Sequence, residues 1–193
     1  MGIIIALESI LDPLLLEQVF PAVRPVELEL GAGDGGFLVE WAALRSEHNF
    51  IGVERLLGRL RKIERRALRR GLANVRVVRL EASYFVKYLV PVRSVDALHV
   101  YFPDPWPKRK HWRHRLVNEQ FPALAERVLV PGGRVYLRTD HEEYFAQMNR
   151  VFTAHGGFVA QETPATLAAV PTDFERGFRA AGVEVFRAAF GVV

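Results

Sequence analysis

The feature that most constrains the fold is an alternation, from residue 26 to residue 155, of short β-branched apolar runs with longer stretches of helical spacing. Such alternation predicts βαβ units, with a parallel sheet covered by helices on both faces. VELEL (Val26–Leu30) reads as strand one and runs directly into the glycine loop Gly31-Ala-Gly-Asp-Gly-Gly36, after which FLVEWAALR has helical spacing. FIGVE (Phe50–Glu54) reads as strand two, followed by a long basic helix that Gly71 closes. VRVVRL (Val75–Leu80) and VDALHVYF (Val95–Phe102) read as strands three and four. A helix near Leu116–Leu129 leads to a Pro131-Gly132-Gly133 turn, a fifth strand RVYLRT, and a helix over His141–His155 that Gly156-Gly157 stops. Upstream, Asp12-Pro13 predicts a helix start, with the carboxylate as cap and proline in the first turn. Downstream, GFVAQET and VEVFRAAF read as two strands joined by a loop of about twenty residues containing PTDFERGF. With no helix expected between them, the two strands should pair antiparallel. The expected fold is α/β, a mixed seven-stranded sheet with an antiparallel C-terminal hairpin, in a single domain over residues 1–193.

Composition removes several chemistries. The chain contains no cysteine, which excludes disulfides, thiolate catalysis and Cys-ligated metals. No His/Asp/Glu spacing stands out as a metal-ligand set, so no metal is expected. No apolar run reaches the roughly 18 residues a membrane span needs, and MGIIIALESIL lacks the cationic flank of a signal peptide, so a cytoplasmic location is expected. Monomer and homodimer stay equally open. Charge is concentrated: Arg55–Arg79 holds ten basic residues against the single acid Glu64, and Lys108–Arg115 adds five more plus His111 and His114. A polyanionic partner would use such runs, although a solvated helix face would also account for the first.

In an open α/β sheet, ligands bind beyond the carboxyl ends of the strands, at the switch in strand order. Glu29, Glu54, Glu81, Asp104 and Asp140 all fall at such ends. Gly31, Gly33 and Gly35 satisfy a GxGxG loop and, through Gly36, the loop also satisfies the GxGxxG form. An acid about twenty residues on, here Glu54, suits a ribose. These features indicate an adenosine-containing ligand and do not by themselves separate NAD from S-adenosylmethionine. Electrostatics favours the latter: Glu29 and Asp34 would repel a pyrophosphate and attract an ammonium or sulfonium. After strand four, YFPDPWPKRKHWRHRL places Asp104 among three prolines, next to the flat face of Trp106 and ahead of the cations. A rigid acid beside an aromatic plane and phosphate-binding side chains can hold a base and its backbone together.

LELGAGDG, GVE, PDPWPKRKHWRHRL, Thr139-Asp140 and Thr172-Asp-Phe-Glu175 together resemble the TrmB family of bacterial tRNA (guanine-N7-)-methyltransferases over nearly the whole chain. The resemblance implies a class I, Rossmann-like S-adenosylmethionine-dependent methyltransferase fold and N7 methylation of a guanine in the tRNA variable loop. It implies a cofactor pocket lined by Glu29, Gly31, Gly33, Glu54, Glu81 and Asp104, with Asp104 catalytic. Lys108, Asp140, Thr172, Asp173, Phe174 and Glu175 would contact the guanosine. Arg109, Lys110, His111, Arg113 and Arg115 would hold RNA. Two departures from the family pattern are a glutamate, Glu81, where aspartate is usual, and a shorter segment before strand one. RNA contacts of that longer segment would then be missing or taken over by the Arg55–Arg70 helix. The alternatives are an amino-directed nucleic-acid or protein methyltransferase, echoed by Pro103-Asp-Pro-Trp106, and a non-catalytic RNA-binding module on the same scaffold.

Overall fold

The computed structural model describes residues 2–193. Strands β1 (Val26–Leu30), β2 (Asn49–Val53), β3 (Val75–Val78), β4 (Val95–Tyr101), β5 (Leu129–Thr139), β6 (Phe158–Gln161) and β7 (Phe186–Val192) form one sheet in the order β3-β2-β1-β4-β5-β7-β6. β1 to β5 pair in parallel, and β7 runs antiparallel to both β5 and β6. The helices are α1 (Leu16–Val19), α2 (Gly36–Leu44), α3 (Leu57–Arg69), α4 (Ala82–Tyr84), α5 (Phe121–Val128), α6 (Glu142–His155), α7 (Ala165–Ala168) and α8 (Asp173–Ala180). No helix among the described residues is long and apolar enough to cross a membrane. The strand order switches direction between β1 and β4, and the carboxyl ends of these two strands define the crevice of the sheet.

Two apolar layers sandwich the sheet. Phe37, Leu38 and Trp41 of α2 with Leu60, Ile63 and Ala67 of α3 cover one face. Phe121 and Ala125 of α5 with Met148 and Phe152 of α6 cover the other. Because both faces are covered, the alternation in VELEL buries every residue of β1 instead of exposing its glutamates. Val26, Leu28 and Leu30 enter the α5/α6 layer, while Glu27 and Glu29, next to each of them in sequence, point to the opposite, α2 side. A buried carboxylate must find donors there or carry a heavy desolvation cost. Glu27 finds them: Trp41 Nε1 donates at 2.9 Å, His99 Nε2 lies at 2.7 Å and His48 Nδ1 at 2.9 Å. Burial pushes the Glu27 carboxyl up, but these neighbours outweigh it and hold the group far below the usual carboxylate range.

Strands one to five, the helices over α2, α3 and α6, and the antiparallel end of the sheet lie where the pattern places them, with boundaries shifted by a few residues. Three expectations need correction. Asp12-Pro13 opens no helix: Leu14 N–H is taken by Leu89 O at 2.7 Å, and α1 starts only at Leu16. The helix expected from Leu116 begins at Phe121, after a turn closed by Asn118 Oδ1 on Gln120 N–H. The segment expected as a loop between the last two strands contains α7 and α8. Thr172 Oγ1 caps α8 by accepting from Glu175 N–H at 3.0 Å, so Thr-x-x-Glu was a capping signature.

Candidate active site

The glycine loop turns the chain from β1 into α2 with Gly31, Gly33 and Gly35 at φ of 83°, 56° and 79°. Side-chain-bearing residues are disfavoured in this left-handed region. Gly31 and Ala32 N–H both bond Val53 O at 2.9 Å, and Gly33 N–H bonds Glu54 Oε2 at 3.0 Å, which ties the loop to the end of β2. A Cβ at Gly31 or Gly33 would meet no atom within 4 Å, so the bare backbone faces open space.

That space is a cavity of about 260 Å³ lined by Glu29, the glycine loop, Phe37, Arg59, Tyr101 and Thr172–Phe174. A second cavity of about 680 Å³ adjoins it through Gly31, Arg59, Tyr101 and Phe174, and is lined by Glu54, Glu81, Asp104, Trp106 and His114. The two therefore bring together Glu29, Gly31, Gly33, Glu54, Glu81, Asp104, Thr172, Asp173 and Phe174, drawn from the ends of four strands and the start of α8.

Glu29 is 3% exposed, and its Oε2 is buried without any hydrogen-bond partner. Burial pushes its carboxyl well above the usual range; Arg138 opposes this, and Asp173 adds to it. Unlike Glu27 in the same strand, whose carboxylate is taken by Trp41 and His99, Glu29 has a free acceptor, and it lines the cavity beside the glycine loop. A cationic group placed there would restore what desolvation removes. Glu54 accepts from Gly33 N–H and from Leu56 N–H at 2.7 Å, leaving lone pairs for a hydroxyl. Glu81 caps α4 through Ser83 and Tyr84 N–H and is otherwise exposed. Asp34 is held by Lys62 at 2.8 Å. An orphaned buried carboxylate oxygen, a side-chain-free backbone cradle and a ring of carboxylates fit a nucleoside that carries an ammonium and a sulfonium. They do not fit a pyrophosphate.

Asp104 is exposed at the rim of the larger cavity, between Phe102 (φ 50°) and Trp106 (φ 43°). Two non-glycine residues in the left-handed region within five positions mark a segment held in shape by its surroundings. Trp106 is 36% exposed and packs against His114 at 5.2 Å and edge-on to His111 at 5.7 Å, so it is not packed inward.

Other expected residues lie outside both cavities. Asp140, Lys108, Arg109, Lys110 and Arg113 are exposed, the last three on a short 3-10 helix over Arg109–His114, and His111 is half-buried. Two are corrected. Arg115 is 1% exposed: it donates to Pro105 O at 2.7 Å and Gln147 Oε1 at 2.5 Å and lies over the Trp112 and Tyr144 rings, so it fastens the loop from inside and cannot reach a phosphate. Glu175 is fully buried: its carboxylate takes Arg138 at 2.8 Å, Arg179 at 2.6 Å and also Arg187, so it holds α8 in place and is closed to a base.

Sequence reasoning missed Arg138, which is buried at the end of β5. It donates to Val170 O and Leu167 O at 2.7 Å each and to Glu175, fastening the segment that walls the smaller cavity. Its signal was an arginine next to Leu137 at the carboxyl end of an interior strand. Arg59 and Tyr101, shared by both cavities, had none.

A family model described as "Putative methyltransferase" matches residues 23–188. A tRNA (guanine-N(7)-)-methyltransferase of Pseudomonas putida is 36% identical, covering 86% of this chain and 71% of that protein. One of the same name from Nitrosococcus oceani is 35% identical, covering 76% of this chain and 62% of that protein. The chain spans about 60% of the length of several curated relatives it matches. Among solved structures, TrmN from Thermus thermophilus has a TM-score of 0.64 at 22% identity, covering 92% of this chain and 47% of that one, a likeness of fold. By model, relatives and site layout together, the chain belongs to the TrmB family of bacterial tRNA (guanine-N7-)-methyltransferases.

Proposed function

We propose that this protein methylates N7 of a guanine in the variable loop of tRNA, with S-adenosylmethionine as donor, in the cytoplasm. The observation that carries the reading is Glu29: a buried carboxylate oxygen without a partner, facing a cavity beside a glycine loop. Its relatives' names supply the tRNA and the acceptor atom.

S-adenosylmethionine would supply the electrophilic methyl group when bound. Glu29 would accept from its ammonium, Gly31 and Gly33 would give its chain room, and Glu54 and Glu81 would hold its ribose and adenine. Guanine N7 bears a lone pair and no proton, so the chain needs no general base. Its work is alignment, which can lower a barrier by several kcal/mol. Asp104, fixed at the rim, accepts a hydrogen bond from the guanine edge and favours the positive charge the ring gains. Phe174 and Trp106 offer flat faces for the base. With Glu175 and Arg115 committed inside the protein, the guanosine contacts fall to Thr172, Asp173, Phe174, Lys108 and Asp140. RNA phosphates fall to Arg109, Lys110, His111 and Arg113.

The test is methylation of bulk tRNA with labelled donor, followed by reduction and aniline cleavage, which cuts at N7-methylguanosine and not at N-methylated exocyclic amines, with unmethylated tRNA as the control. Cleavage in the variable loop is expected. Label confined to exocyclic amines would overturn the reading, and near-normal turnover by Asp104→Ala would remove Asp104 from the chemistry.

A further inference from the structure

We propose that the outward face of α3 is a docking track for an RNA backbone, leading a bound strand to the mouth of the two cavities; this rests on reading the chain as an RNA-modifying enzyme. The argument comes from how α3 divides its side chains. Leu60, Ile63 and Ala67 are fully buried. Lys62 and Arg66 are committed to acids of the cavity wall, at 2.8 Å to Asp34 and 2.7 Å to Asp173, and Arg59 lies over the Phe174 ring at 5.9 Å. Arg61, Arg65 and Arg69 are exposed, and among the described residues they have no ion-pair partner.

Their spacing of four residues sets them in one stripe, opposite the buried face, with a rise of about 6 Å per step. That step is comparable with the separation of successive backbone phosphates. Like charges four apart weaken a helix, and cations near its start oppose the helix dipole. The first turn holds no acid to offset them, and Glu64 pairs with none of them among the described residues. An arrangement that costs the free protein stability is explained by a polyanion that repays it on binding.

The stripe also has a direction. At the N-terminal end of α3, Arg79 Nε donates to Arg55 O at 3.3 Å, adding two exposed arginines, and Arg55 lines the larger cavity with Asp104 and Trp106. A strand following the stripe therefore ends at the rim where the base would enter. The apolar residues of the helix are mostly in the core, which leaves only Leu57 and Leu68 exposed beside the arginines, too little for a membrane surface.

The experiment compares the parent protein with R61Q/R65Q/R69Q and R61E/R65E/R69E, with cofactor titration as the folding control. The expected result is a rise of about tenfold or more in KM for tRNA and a log–log salt slope shallower by about 2–3, with kcat and cofactor affinity unchanged. Unchanged KM and slope in both variants overturn the track while leaving the methylation reading intact. If the parent protein does not methylate tRNA, that reading fails, and filter binding of bulk tRNA still decides the track: loss in the variants supports it, equal binding overturns it. Sedimentation with phosphatidylserine vesicles that the glutamine variant loses, with RNA binding retained, would reassign the stripe to a membrane surface.

Discussion

Consider Glu175→Ala. The carboxylate is fully buried and faces three guanidiniums, of which Arg138 is itself 1% exposed. Its removal leaves Arg138 charged in the interior, with the carbonyls of Leu167 and Val170 as hydrogen-bond partners and the Tyr101 and Phe37 rings beneath it, but no counter-charge paired to it. Stranding one member of a buried pair costs about 3–5 kcal/mol. For a chain of this size each kcal/mol moves Tm by about 2–4 °C, so the variant should melt roughly 6–20 °C lower. Arg179→Ala is the internal control: its side chain is 51% exposed, and its loss should cost under about 1 kcal/mol. Thermal unfolding followed by circular dichroism reads both. Burial pushes the Glu175 carboxyl up, but Arg138, Arg179 and Arg187 outweigh it and leave the group below its ordinary value. Its contribution is therefore present above the unfolded value of about 4.3 and is lost as pH falls through the lower, folded value. A variant that keeps the parent Tm yet loses methyl transfer would refute the clamp and return Glu175 to substrate binding.

Glu29→Gln should weaken S-adenosylmethionine binding by about 2–4 kcal/mol, read by calorimetric titration, while the free protein keeps or gains stability because a desolvated carboxylate is gone. Since burial raises the Glu29 carboxyl, the free protein gains stability as pH falls below the folded value, whereas affinity for a cation should rise as pH increases through it; a flat affinity profile would count against the ammonium contact. Arg115→Ala should lower stability by about 2–3 kcal/mol by leaving Gln147 and Pro105 O without their donor, yet leave the salt dependence of tRNA binding unchanged. Gly33→Ala forces alanine to φ 56°, at about 1 kcal/mol, and points its methyl into the cavity, so cofactor affinity should drop more than Tm.

The architecture was legible because it rests on local pattern. The strand runs, the glycines after β1 and the closing Gly71 and Gly156, at φ of 62° and 78°, each act within a few residues of themselves. The acids at strand ends could be picked out because topology alone carries the ends of parallel strands to one rim. PTDFERGF was misread because α8 buries only Glu175: its apolar pair, Phe174 and Phe178 four residues apart, stays outside the core, and its other local signal was the Thr172 cap.

What sequence alone determined is therefore the sheet, its glycine loop and which residues reach the carboxyl rim, since periodicity and chain direction settle these before any long-range contact forms. Only the tertiary structure decided the fate of each charge. Glu27 and Glu29 are two residues apart in one strand, yet the first is consumed by Trp41, His48 and His99 and the second keeps a free oxygen in a cavity. Arg115 and Glu175 belong to runs that read as binding residues, yet both are buried and held by partners within the protein. The reason is that the worth of a charged group depends on its burial and its partners, and those partners come from strands and helices far away in the chain.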